Sequence, residues 1–270
     1  MSQPKAKCVF CGQHGKLTKS HVWPKWLDSI LPQSASHHEQ IIGRFDTFVP
    51  TAAGPSYWRK VRQGHVGTRK PRNTCSKCNG EWMRQIEEAA MPIMRPLLRG
   101  NPYLLLEPPA LELVASLLCL VSMRVEFLSR EMRAIPAADH DWLRTKFTPP
   151  ADWKIWIARY EGDLLTDERY TAMQITSSRD VPVGVEHCNT QVTTLVVGHL
   201  CAHLFSSTVW RDFDGYEGID LPAIWPPRKT AILARSLPVI TQAEVPWPHE
   251  TVARETPNRP DFSFTARFLL

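Results

Sequence analysis

Two fragments hold the residues whose types and spacing could do chemistry. In CVFCGQHGKLTKSHVWPKWL, residues 8–27, Cys8 and Cys11 form a CxxC knuckle ten residues ahead of His21, and in CSKCNGEWM, Cys75 and Cys78 form a second knuckle. The two pairs are separated by 63 residues. Four thiolates from such pairs can surround one Zn²⁺, whose filled d shell imposes no geometry beyond a tetrahedron of soft ligands. A closed four-cysteine site is structural rather than catalytic. The competing readings are four unrelated buried thiols or a redox CxxC. The paired pattern, in a chain whose opening MSQPKAKC has no apolar stretch, favours metal over a disulfide framework.

A zinc ion there clamps the ends of a long excursion and brings two places together. Cys8 and Cys11 hold the start of KSHVWPKW, and Cys75 and Cys78 hold the start of a helix carrying Asn79. The elements that must do this positioning can be sketched from pattern. A helix is expected from near Pro24. SASHHEQ (34–40) reads as loop, IIGRFDTFVP and YWRKVRQGHVG read as strands, and TAAGPS between them is a turn signal. From Cys78, NGEWMRQIEEAAMPIMRPLL has helical spacing, with Pro92 and Pro96 expected to kink or end it.

RGNPYLLLEPP, residues 99–109, marks the expected boundary between a part spanning 1–100 and a part spanning 101–270. Beyond it come a long buried helix (ALELVASLLCLVSMRVEFLSREM), a shorter one near ADHDWLRTKF, and strand-like WKIWIARYEG, YTAMQIT and TQVTTLVVGHLCAHLFSS. The Pro- and Trp-rich tail reads as irregular. On a continuous strand His199, Cys201 and His203 would share a face with Leu195 and Val197; with no carboxylate beside them, packing is the expected role.

Charge is asymmetric. Residues 1–100 carry a net +10 and residues 101–270 a net −5. A basic part that meets a polyanion, joined to a more ordinary acidic body, is the implied arrangement. Residues 57–78 concentrate it, with Arg59, Lys60, Arg62, Arg69, Lys70, Arg72 and Lys77 and no acid. These are what contacts to the phosphates of a nucleic acid, DNA or RNA, require, and their alternative is a solvated basic face. The absence of an apolar run long enough to span a bilayer points to a soluble, cytoplasmic chain without membrane partners.

CVFC ahead of SHVWPKWL, the CSKCN knuckle opening a helix, and CNGEWM resemble the HNH, or ββα-metal, endonucleases stapled by four cysteines, over about residues 5–100. The resemblance implies a zinc-stapled ββα-metal (HNH-like) module and says nothing of the rest; with the helix and strand patterns beyond residue 100, the expected fold is α+β, that module followed by a helix-plus-antiparallel-sheet domain of unassigned role. It implies that His21 is the general base activating water against a phosphodiester, and that Asn79 ligates a catalytic Mg²⁺ or Mn²⁺. Asn79 also suits a helix N-cap. Ser20 stands where the family places an acidic metal ligand, with Glu81, Asp28 and Asp46 as candidate replacements. The polar residue that orients the histidine is Asn73 or His65. Nicking of DNA is the favoured activity, a non-catalytic zinc module that binds nucleic acid the alternative, and the C-terminal part is open to a homodimer or a protein partner.

Overall fold

The computed structural model describes residues 6–30, 37–46, 56–63, 69–128, 133–163, 166–177, 188–211, 213, 215, 221–245 and 262–269, with backbone alone for 37–46, 56–63, 176–177 and 262–269. The first ordered unit is small. Strand β1 (Leu17–Lys19) pairs antiparallel with β4 (Arg72–Cys75), and helix α1 (Ser76–Gly80) follows β4 directly. The pairing continues past β1, because Ser20 and Val22 donate their amides to the carbonyls of Pro71 and Arg69. The expected helix near Pro24 is a single 3₁₀ turn, Lys25–Ser29.

Helix α2 (Trp82–Leu98) buries Met83, Ile86, Ala90, Met94 and Leu97, a stripe at three- and four-residue intervals. It runs through Pro92 and Pro96, so neither proline ends it where it stands. The stripe packs along α3 (Pro108–Val125), and that burial holds the helix together where two backbone donors are missing. After Pro96 only two helical residues remain before Gly100, whose φ of +74° ends the helix. Helix α3 starts on a Pro pair, which costs nothing where the amides are unpaired anyway, and is buried around nearly its whole circumference.

The excursion between the knuckles does not stay with them. Strands β2 (His37–Asp46) and β3 (Ser56–Gln63) form a hairpin at one end of a nine-stranded sheet. With β6 (Lys154–Glu161), β7 (Thr166–Ser177), β8 (Thr190–Val197), β9 (Leu200–Ser207), β10 (Ala223–Trp225), β12 (Val239–Thr241) and β13 (Phe262–Leu269), the order is β10-β6-β9-β8-β7-β13-β2-β3, and β12 pairs parallel to β6. A two-stranded pair of β5 (Leu105–Leu106) with β11 (Ile232–Leu233) and helix α4 (Ala137–Lys146) complete the order. Strand β2 begins inside SASHHEQ, where a loop is expected; backbone pairing of His37 and His38 with Gln63 and Arg62 prevails over their polarity. The tail is less irregular than its prolines imply, since AIW is β10 and residues 262–269 form a strand between β7 and β2.

Sheet alternation sorts the core. Leu195, Ala202, Leu204, Ile157 and Ala172 face α3, while Val192, Phe205, Trp156 and Met173 pack with Trp210 and Phe213 on the other side. Gly198 and His199 turn β8 back into β9, so Leu195 and Val197 lie opposite Ala202 and Leu200 and share their face, not that of Cys201. The single continuous strand expected there is a hairpin. His203 is buried and hydrogen-bonded to Thr194, and Cys201 packs with Val196 and Tyr160. One apolar cluster runs from Cys8 to Leu237, so packing crosses the expected boundary at residue 100. Among the described residues no helix is long and apolar enough to cross a membrane.

A buried polar contact ties the N-terminal strands to this sheet. Arg69 forms an ion pair with Glu168 on β7, and the Trp23 indole N–H donates to the same carboxylate at 2.5 Å. Glu168→Gln leaves the Arg69 guanidinium buried without its counter-charge, which costs about 3–5 kcal/mol in comparable pairs. Urea unfolding is expected to show that loss, and the double variant Arg69→Met/Glu168→Gln is expected to recover much of it.

Candidate metal centre

The four cysteines converge. Their Sγ atoms all lie within 4.8 Å of one another, and Cys11 Sγ sits 3.8 Å from Cys75 Sγ. A tetrahedron with Zn–S bonds of about 2.3 Å requires sulfurs about 3.8 Å apart, so the spacing fits one ion. None is in a disulfide. Local backbone explains the convergence. Gly12, at φ +70°, lets the first knuckle turn so that its amide reaches the Cys8 carbonyl. Cys75 caps α1, its sulfur accepting the Cys78 amide at 3.4 Å, and Cys8 Sγ accepts the Cys75 amide at 3.3 Å. These amides aim partial positive charge at sulfur, as thiolate ligands require. Burial raises the Cys8 thiol, but backbone N–H groups of Cys11, Cys75 and Phe10 outweigh it and bring it down to about 7. Burial pushes Cys11 and Cys78 up. An ion that supplies positive charge reverses that desolvation effect. The group can hold a structural metal ion such as zinc.

Beside it the two segments meet through Ser20 rather than His21. The Ser20 hydroxyl donates to Asn79 Oδ1 at 3.0 Å across 59 residues of sequence, and Ser20 is fully buried. His21, the next residue, is half-buried, and its pKa is lowered first by that burial and then by Lys70; Arg124 and Lys25 lower it further, and Asp28 opposes them. The imidazole is therefore held neutral among cations. Asn79 lies within α1 and Cys75 takes the N-cap, so capping is not the role of Asn79.

The other expected site residues divide. Asn73 is buried, but its amide oxygen accepts from Thr74, its Nδ2 has no protein partner, and it makes no hydrogen bond to His21. His65 lies outside the described residues. Of the candidate acids, Asp28 is the one whose charge reaches His21; Glu81 is exposed at the break between α1 and α2, and the Asp46 side chain is not among those described. Lys70, Arg72 and Lys77 are exposed near the knuckle. Arg69, expected among the phosphate contacts, is instead consumed by Glu168: it is nearly buried, and burial brings its pKa down to about 10. The side chains of Arg59, Lys60 and Arg62 are not described, and their strand β3 belongs to the large sheet, not to the β1–β4 pair.

Arg124 was not expected at all. It comes from α3, in the second part of the chain, yet it pairs with Glu87 on α2 at 2.7 Å and reaches the Val22 carbonyl at 3.4 Å. The signal in sequence is a lone cation inside the apolar run SLLCLVSMRV, which burial obliges to find a partner.

Cys78→Ser is expected to abolish tightly held zinc, measured by elemental analysis of the purified protein. The same variant should unfold roughly 5–15 °C lower, the shift that a loss of a few kcal/mol gives in a chain of this size. Retention of zinc by Cys78→Ser would count against the four-sulfur site. No protein-family model matches the chain, and neither the curated proteins nor the solved structures yield a match.

Proposed function

We propose that the chain is an HNH-type endonuclease that nicks DNA, with the four-cysteine group as its structural zinc site. The observation that carries the reading is the Ser20–Asn79 contact beside a neutral, half-buried His21. Strands β1 and β4 followed by α1 give the order strand, strand, helix, and the long hairpin between the two strands is an insertion in that unit. In this reading His21 takes a proton from the water whose oxygen attacks phosphorus, and the bond to the leaving oxygen breaks. A base must be unprotonated to do so, and the lowered pKa of His21 keeps it so at neutral pH. Lys70, Arg72 and Lys77 hold backbone phosphates, so binding weakens steeply with salt.

A divalent cation, when bound, supplies charge for the phosphate and leaving oxygens. Asn79 Oδ1 is the ligand this chain offers it, with one lone pair already accepting from Ser20. Both are neutral donors, so Mg²⁺ or Mn²⁺ is held weakly until substrate oxygens join. That feature is also what favours the second reading, a zinc module that binds nucleic acid without cutting it.

Plasmid nicking with Mg²⁺ or Mn²⁺ separates the two. His21→Ala should cut about 10²–10⁴-fold more slowly than the parent while binding duplex equally well. The parent's rate should rise with pH through the pKa of His21 and level off below the ordinary histidine value of about 6.5. Binding without cutting under either metal supports the second reading, and absence of binding to DNA or RNA at low salt removes both. A second variant, Ser20→Asp, places a carboxylate against Asn79 Oδ1. It is expected to lower metal-free stability and to shift the Mn²⁺ dependence of nicking to lower concentration; an unchanged metal requirement would dissociate residue 20 from the cation.

A further inference from the structure

The strand pair that leads into His21 has two unlike faces. Leu17 and Thr18 of β1 lie opposite Cys75 and Thr74 of β4, and the register then shifts at Asn73, which has no residue opposite it. Beyond that bulge Lys19 lies opposite Arg72. The bonds from the Ser20 and Val22 amides to the Pro71 and Arg69 carbonyls continue the same register and set His21 opposite Lys70. Side chains alternate along a strand, so Lys19, His21, Lys70 and Arg72 share one face. Burial agrees. Ser20, Val22, Pro71 and Asn73 are buried, whereas Lys19, Lys70 and Arg72 are exposed and His21 is half-buried. The bulge keeps Arg72 outward, because it lets the neighbours Asn73 and Thr74 both turn inward.

Residues directly opposite in an antiparallel pair have Cβ atoms about 5 Å apart, and like charges placed there repel. Nothing nearby offsets the repulsion between Lys19 and Arg72. Among the described residues neither of them, nor Lys70, has an ion pair, whereas other surface arginines do: Arg84 with Glu88, Arg144 with Asp141 and Arg159 with Glu161. Asp28 is the one acid whose charge reaches His21, against Lys70, Arg124 and Lys25. An anion that reaches both Lys19 and Arg72 turns their repulsion into a shared attraction. A phosphodiester suits them, since its two unesterified oxygens offer one acceptor to each cation. We propose that Lys19 and Arg72 together grip one phosphodiester of a DNA strand and hold it on the face that carries His21. Lys19 is thereby a positioning residue of the nicking site.

The inference rests on the reading of the chain as a nuclease acting on DNA, but its test reads binding with no Mg²⁺ or Mn²⁺ added, so that cutting plays no part. Duplex affinity of the full chain, measured by fluorescence anisotropy between about 50 and 200 mM salt, counts the phosphates neutralised, because log K falls with log salt by about 0.9 for each. Two cations on one phosphate predict that Lys19→Ala and Arg72→Ala each lower that slope by much less than about 0.9, and that the double variant lowers it by about 0.9. Lys19→Glu should weaken duplex binding about tenfold or more. Its unfolding temperature should equal or exceed the parent's, since an opposite pair replaces a like-charged one, so the lost binding is not lost folding. The imidazole NMR signals of His21, identified by their loss in His21→Ala, should shift when a short duplex is added to the parent. A loss of about 0.9 from each single variant and about 1.8 from the double places the two cations on separate phosphates and overturns the shared grip. An unchanged slope in the double variant, or His21 signals indifferent to DNA, overturns the proposal outright and leaves the nuclease reading to the nicking assay. The predicted slopes without any cutting under either metal would uphold the grip and overturn the nuclease.

Discussion

Four sulfurs within 4.8 Å, drawn from knuckles 63 residues apart, are the constraint on which the N-terminal architecture depends. A three-residue strand and a five-residue helix are too short to persist alone. Their ends are fixed because Cys8, Cys11, Cys75 and Cys78 share one point, and amide-to-sulfur bonds lock the knuckles around it. From that point the register of β1 on β4 follows, and with it the meeting of Ser20 and Asn79. The site is thus positioned by a group that takes no part in the chemistry proposed for it.

Buried charge extends this positioning into the rest of the chain. Glu168 on β7 holds Arg69 and Trp23, and Arg124 on α3 holds Glu87 and the Val22 carbonyl. Both cations approach the segment carrying His21, Arg124 at the Val22 carbonyl and Arg69 beside Trp23 on the shared Glu168 carboxylate. Neither pair tolerates loss of one partner, since the remaining charge would stay out of water. The second part of the chain therefore does more than follow the first: it supplies the charges that fix residues 20–23 in place. The depressed pKa of His21, caused by burial and then by Lys70 and Arg124, is a consequence of that joint construction.

The excursion between the knuckles shows how topology reassigns residues. Arg59, Lys60 and Arg62 read as neighbours of the site because they lie between its two halves in sequence, yet their strand closes one end of the large sheet. Strand β13 is what makes this possible, pairing with β7 on one side and β2 on the other. Nothing in FSFTARFL names its partners, because backbone pairing is blind to sequence distance.

What the sequence by itself determined was local chemistry and periodicity. Two CxxC pairs foretold the sulfur group, the helical spacing that puts Trp82, Met83 and Ile86 on one face foretold α2, and the largely apolar run foretold α3 as a buried helix. Those signals survive because each depends on neighbours within a few residues. Only the tertiary structure decided that Ser20 would donate to Asn79, that Arg69 would be withdrawn into an ion pair, and that Lys19 would lie opposite Arg72. The reason is physical. A charged or polar side chain reads the same in sequence whether it meets water, a counter-charge or a ligand, and its role is fixed by which distant atoms remove it from water.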